Sequence, residues 1–238
     1  MASTLSRSSA SANPITTVFL SDGTQGACFG RGKGLNKLSA LLTQVNVKER
    51  PLYRMLANVC KKIGSGKYPY KTFLEEYLWA PLREQLEKGP VLMVCYSFSC
   101  RAAGLMFQLF SEDDLKLVKR NLRGIVFLSP PANASKGYID NDRPAPNGGG
   151  NMDSDWAQSY GLIAPHVPMH FVIGQQTKKR KLGRWTKSVF DACGMFGPDC
   201  TCTWKEIEGS DGMFVGYEEQ VAAFIGSLLP ENDKCVST

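Results

Sequence analysis

Residues 91–104 read VLMVCYSFSCRAAG. The apolar run Val91–Cys95 has the length and character of a strand buried on both faces. Past Tyr96 the pattern changes at once to a helical one, Phe98–Phe110, with no loop between. A strand that turns straight into a helix leaves the residue at the corner, Ser97, exposed at the end of a sheet. The flanking positions, Cys95 and Ser99, are small, as such a corner needs where it is pressed against neighbouring strands.

Outward from this corner the same alternation repeats. Strands are expected at Ile15–Leu20, Leu42–Val47, Val91–Tyr96, Gly124–Ser129, Met169–Gly174 and Thr201–Ile207. Amphipathic stretches fall between them, at Pro51–Ile63, Tyr70–Glu87, Phe98–Phe110, Glu112–Asn121, Lys178–Cys193 and Met213–Leu229. Ser111 stands as N-cap of the fourth, with acids in its first turn. Strands alternating with helices predict βαβ units and a mostly parallel sheet covered on both faces. With 238 residues there is room for one sizeable core. The expected organisation is a tail over 1–14, a single α/β domain over 15–230 and a short tail over 231–238.

Composition narrows the functional classes. Hydrophobic residues make up 43% and charged residues 21%, which is ordinary for a globular chain. No apolar run is long enough to span a bilayer. The N-terminal MASTLSRSSASANP has no apolar signal core, so an intracellular protein is expected, cytoplasmic or nuclear. Its Ser, Ala and Arg without an acid also suit an organellar presequence. The eight cysteines are scattered, as buried free thiols are in a reducing compartment. Cys193, Cys200 and Cys202 form the one cluster and lack a complete tetrahedral ligand set, so neither a metal nor a cofactor is expected. The net charge of +6 is concentrated in part at Lys178–Lys181, Arg184 and Lys187. Such a run fits a solvated loop, an import signal or a nucleic-acid patch; the sparse aromatic interleaving argues against the last. The terminal Cys235-Val236-Ser237-Thr238 is a poor prenylation box, because Ser237 is not aliphatic. Residues 130–168, rich in Pro, Gly, Asn and Asp, form a long connection after a strand's C-terminal end, where open α/β sheets bind ligands.

The corner has the form small-x-Ser-x-small of the nucleophile elbow in α/β-hydrolases, with Cys95 and Ser99 where glycines are usual. SFSCRAAG (97–104), SEDDLKLVKRNLRGIVFLSPPANAS (111–135) and PMHFVIG (168–174) resemble the α/β-hydrolase-like family of the testis-expressed hydrolase homologues. That family also holds a subunit of the nonspecific-lethal chromatin complex and is related to dienelactone hydrolases. The likeness runs from Thr16 to Leu229. It implies a three-layer fold with a six-stranded sheet ordered 2-1-3-4-5-6, no cofactor, and Ser97 at the nucleophile position. It implies an oxyanion loop after the first strand, at Asp22, Gly23, Thr24 and Gln25, completed by Phe98.

The partners of Ser97 are where this chain departs from the pattern. A serine hydroxyl is a weak nucleophile until a positioned base takes its proton. The acid slot after Met169–Gly174 reads Gln175-Gln176-Thr177, and the base slot after the last strand reads Asp211-Gly212. Thr177 and Gly212 thus stand where an acid and a histidine belong. The chain has two histidines; His166 precedes a strand and His170 lies within it. Asp211 and Asp22 are the carboxylates expected near Ser97, and Asp211 is the candidate unorthodox base. Two functions follow as expectations. One is a non-catalytic protein of this fold acting through protein partners, as a binding or scaffolding subunit. The other is a serine hydrolase of small esters, thioesters or lactones with Ser97 as nucleophile.

Overall fold

A computed structural model describes residue 15 and residues 17–23, 35–52, 55, 69–130, 160–161, 163–176 and 198–229. The tails, the residues Thr24, Gln25 and Thr177, the basic run at 178–187 and most of the 130–168 connection lie outside these. In chain order the elements are β1 (Thr17–Ser21), α1 (Asn36–Leu41), β2 (Asn46–Arg50) and α2 (Tyr70–Leu74). A π-helical turn (Glu75–Trp79) joins α2 to α3 (Ala80–Lys88). Then come β3 (Val91–Tyr96), α4 (Phe98–Phe107), α5 (Glu112–Asn121), β4 (Leu122–Leu128), β5 (Met169–Gly174), β6 (Cys202–Ile207) and α6 (Glu218–Gly226).

The six strands form one sheet in the order β2-β1-β3-β4-β5-β6, and every pairing is parallel. The expected strand order holds. Parallel strands need both faces covered, and the side chains divide accordingly. Phe19, Met93, Ile125 and Phe171 enter one core with α3, α4 and α5 residues such as Leu82, Met106 and Val118. Val18, Leu92, Val126 and Val172 enter the other, against Leu38 of α1 and Val221 and Ile225 of α6. Each such side chain, fully buried, stabilises the fold by about 1.5–3 kcal/mol.

Local chemistry explains the helix details. Ser111 caps α5 in a capping box: its hydroxyl accepts from the Asp114 N–H at 3.2 Å, and the Asp114 carboxylate accepts from the Ser111 N–H at 3.1 Å. The helix over residues 70–88 widens because of Pro81. A proline inside a helix lacks an N–H and collides with the carbonyl four residues back. Here the Ala80 N–H reaches back five residues to the Glu75 carbonyl, which relieves that collision and turns both Leu78 and Trp79 into the core.

The structure shifts several boundaries: the fourth strand ends at Leu128, before Ser129, the helix after β3 ends at Phe107, and two shifts are larger. The second strand lies at Asn46–Arg50 instead of Leu42–Val47, because Leu42 ends α1 and its side chain is buried in the core. The true strand, NVKER, is a charged edge strand with little apolar signal. The last helix begins at Glu218, not Met213; residues 213–217 are turns, with Phe214 at φ 55° and Gly216 at φ 81°.

Candidate functional site

β3 delivers Ser97 to the C-terminal edge of the sheet, and the backbone there is sharply bent. Ser97 has φ 47° and ψ −109°, a conformation close to the first central residue of a type II′ turn. For a residue with a side chain this costs about 1–3 kcal/mol and persists only where its surroundings enforce it. They do so from both sides. The Ser97 N–H donates to the Leu128 carbonyl at 2.9 Å, and the Cys100 N–H donates to the Ser97 carbonyl at 3.0 Å.

Ser99, the residue that makes the sequence pattern irregular, proves to be part of the frame. Its hydroxyl accepts from the Tyr96 N–H at 2.8 Å and lies 2.7 Å from the Ser21 carbonyl oxygen, to which it donates. The side chain that replaces the usual glycine therefore ties the first turn of α4 to the end of β1. On the β1 side Gly23 is pressed against the corner. A Cβ on Gly23 would lie 2.8 Å from Ser97 Cβ and 2.7 Å from Tyr96 Cδ1, so only glycine fits without a shift. Asp22, directly before it, is buried. The loop expected to hold an oxyanion thus reaches the elbow, with Phe98 half-buried at the start of α4.

The far side of the site is held in a different way. The loop after β6 folds back over the strand ends. The Gln176 N–H donates to the Ser210 carbonyl at 2.8 Å, and the Gly209 N–H donates to the Gln175 Oε1 at 3.3 Å. A Cβ on Gly174 would stand 2.1 Å from the Asp211 carbonyl oxygen, so the loop rests on bare backbone. The Tyr96 hydroxyl, next to the elbow, donates to the Gly212 carbonyl at 3.1 Å. Residues at the acid slot thereby hold the loop's backbone, and the base slot is a carbonyl taken by a tyrosine. Asp211 turns its carboxylate to its own loop, where Oδ1 accepts from the Met213 N–H at 2.8 Å. Among the described residues no side chain hydrogen-bonds to the Ser97 hydroxyl.

Both histidines are placed, and neither serves Ser97. His166 stands at the N-terminal end of β5, the opposite edge of the sheet. His170 is buried in β5, in register with Val126, which pairs with Val94. That puts it two strands away and three residues below the corner, roughly 10 Å in each direction. Its Nδ1 shares a hydrogen bond of 2.9 Å with Thr203 Oγ1, and burial lowers its pKa below the ordinary 6.5. The thiols beside the elbow are also unsuited to attack. Burial pushes Cys95 up to about 12, and Cys100 Sγ donates to the Cys95 carbonyl at 3.2 Å. Among the described residues no group of three or more His, Cys, Asp or Glu is placed to hold a metal.

Sequence reading anticipated Ser97, Gly23 and Gly212 at this edge. It missed Tyr96 and Ser99 as the hydrogen-bonding frame, and Ser129 one strand over. Only their positions beside strand ends signalled them.

No family model matches this chain, and no curated protein resembles it in sequence. Solved structures do resemble it in shape. A thermostable carboxyl esterase from Bacillus coagulans, solved with glycerol, superposes with a TM-score of 0.55 at 11% identity, covering 90% of each chain. Dienelactone hydrolase from Anabaena variabilis gives 0.51 at 10% identity, covering 91% of this chain and 87% of its own. At such identities the likeness is one of fold: this chain has the α/β-hydrolase fold.

Proposed function

We propose that this protein is a non-catalytic member of the α/β-hydrolase fold that works by binding. In this reading Ser97 is retained as a hydrogen-bonding group and not as a nucleophile. One observation carries it: the base slot is Gly212, with its carbonyl held by Tyr96, and both histidines of the chain lie elsewhere. Losing the base of a serine triad lowers turnover by on the order of a millionfold. The resemblance of residues 97–104 and 111–135 to a family with a chromatin-complex subunit supports a role as an intracellular scaffold with protein partners.

A second reading has one observation in its favour. Ser97 holds a positive φ that glycine would adopt more easily, so backbone conformation does not account for a serine there. A serine hydrolase of small esters with Asp211 as base would explain this. Steady-state hydrolysis of p-nitrophenyl acetate separates the two. The binding reading predicts the same slow rate for the wild type, Ser97→Ala and Asp211→Asn. Turnover lost in Ser97→Ala and Asp211→Asn alike would replace it with the hydrolase.

A further inference from the structure

Two neighbouring strands leave the sheet through a serine at nearly the same positive φ. Ser97 follows β3 at φ 47°, and Ser129 follows β4 at φ 46°. Tyr96 pairs with Leu128, so the two serines stand level, on strands about 4.8 Å apart. Each is pinned by its own N–H, Ser97 to the Leu128 carbonyl and Ser129 to the Val172 carbonyl, both at 2.9 Å. Positive φ favours Gly or Asn, yet serine occupies both places. Ser129 is buried, 4% exposed, and among the described residues its hydroxyl has no hydrogen-bond partner. Native proteins pair nearly all such groups, so an orphan asks for an explanation. The C-terminal edge of an open parallel sheet is where a ligand supplies one.

We propose that Ser97 and Ser129 form a paired-hydroxyl anchor for a ligand head group with two oxygens on one centre, one oxygen to each hydroxyl. The proposal rests on the reading of Ser97 as a binding group. Asp22 and Asp211 belong to the same edge, and one helix N-terminus, worth about half a positive charge, does not offset two carboxylates. The head group is therefore neutral, as in an ester or an uncharged oxyacid.

Phenylboronic acid is a neutral probe of this shape. Its two boron-bound oxygens meet the two hydroxyls through hydrogen bonds alone, with no bond formed to boron and no water released. The full chain is titrated with it by boron NMR, with native mass spectrometry to check that the bound mass is that of the intact acid. The pair predicts saturable binding of an intact, trigonal boronic acid. Ser129→Ala and Ser97→Ala should each weaken binding by about tenfold, the worth of one good contact. Ser129→Gly, which suits the positive φ, guards against a folding defect and should weaken binding equally. A wild type that does not bind, or Ser129 variants that bind as the wild type does, would overturn the pair. Loss in Ser97→Ala alone removes Ser129 and leaves the binding reading in place. Ser97-dependent ester turnover removes the non-catalytic reading and not the pair.

Discussion

The two ends of the site, the elbow at β3 and the loop beyond β6, were treated differently by the sequence. At the elbow the geometry survives although the residues changed: Ser99 replaces a glycine and contributes hydrogen bonds to Tyr96 and Ser21. At the far loop the position is kept by backbone contacts: Gln175, Gln176 and Tyr96 hold residues 209–212 at the strand ends. The difference has a physical origin. The elbow joins a buried strand to a buried helix, so altering it would disturb both cores. A base on a loop is replaced at little cost to stability, provided the loop stays attached.

If the far loop rests on bare backbone, the largest effect comes from filling that contact. Gly174→Ala places a Cβ 2.1 Å from the Asp211 carbonyl and should destabilise by roughly 3 kcal/mol, read by urea unfolding. A neutral result would mean the loop is not seated as described. On the elbow side, Ser99→Ala leaves the Tyr96 N–H and the Ser21 carbonyl without their shared partner. A loss of about 1–3 kcal/mol is expected, and a loss near zero would reduce Ser99 to a space filler.

Tyr96→Phe tests the link between the two ends. Removing the hydroxyl that binds the Gly212 carbonyl should cost about 1 kcal/mol and speed hydrogen exchange in residues 209–214 more than in α4. Equal exchange in both would show that the ends are not separately held. The smallest effect concerns pH. Burial lowers the pKa of His170 in the folded chain below the ordinary 6.5, so on acidification the unfolded chain takes up its proton first. Stability should fall as pH drops below about 6.5 and level off beneath the folded value, with a slope of at most about 1.4 kcal/mol per pH unit. His170→Gln should flatten this stretch of the curve.

Much of the fold was legible because buried parallel strands carry dense apolar signals. VLMVCY and MHFVIG have the bounds the sequence predicts, and the N-cap of α5 was visible at Ser111. The edge strand NVKER was not, since exposure leaves charged residues in place of an apolar run. Nor was α1, six residues with Leu38 as its buried anchor. At the site, the positions of Ser97 at the strand corner and of Gly23 and Gly212 beside the strand ends were legible. The frame around them was not, because Tyr96, Ser99 and Ser129 act through contacts between residues distant in sequence.

The most direct test of the central claim is to treat the chain with a fluorophosphonate and map the adduct by mass spectrometry beside Ser97→Ala. The non-catalytic reading predicts no modification of Ser97 above the mutant background. Stoichiometric phosphonylation of Ser97, faster as pH rises, would show that a base does reach it.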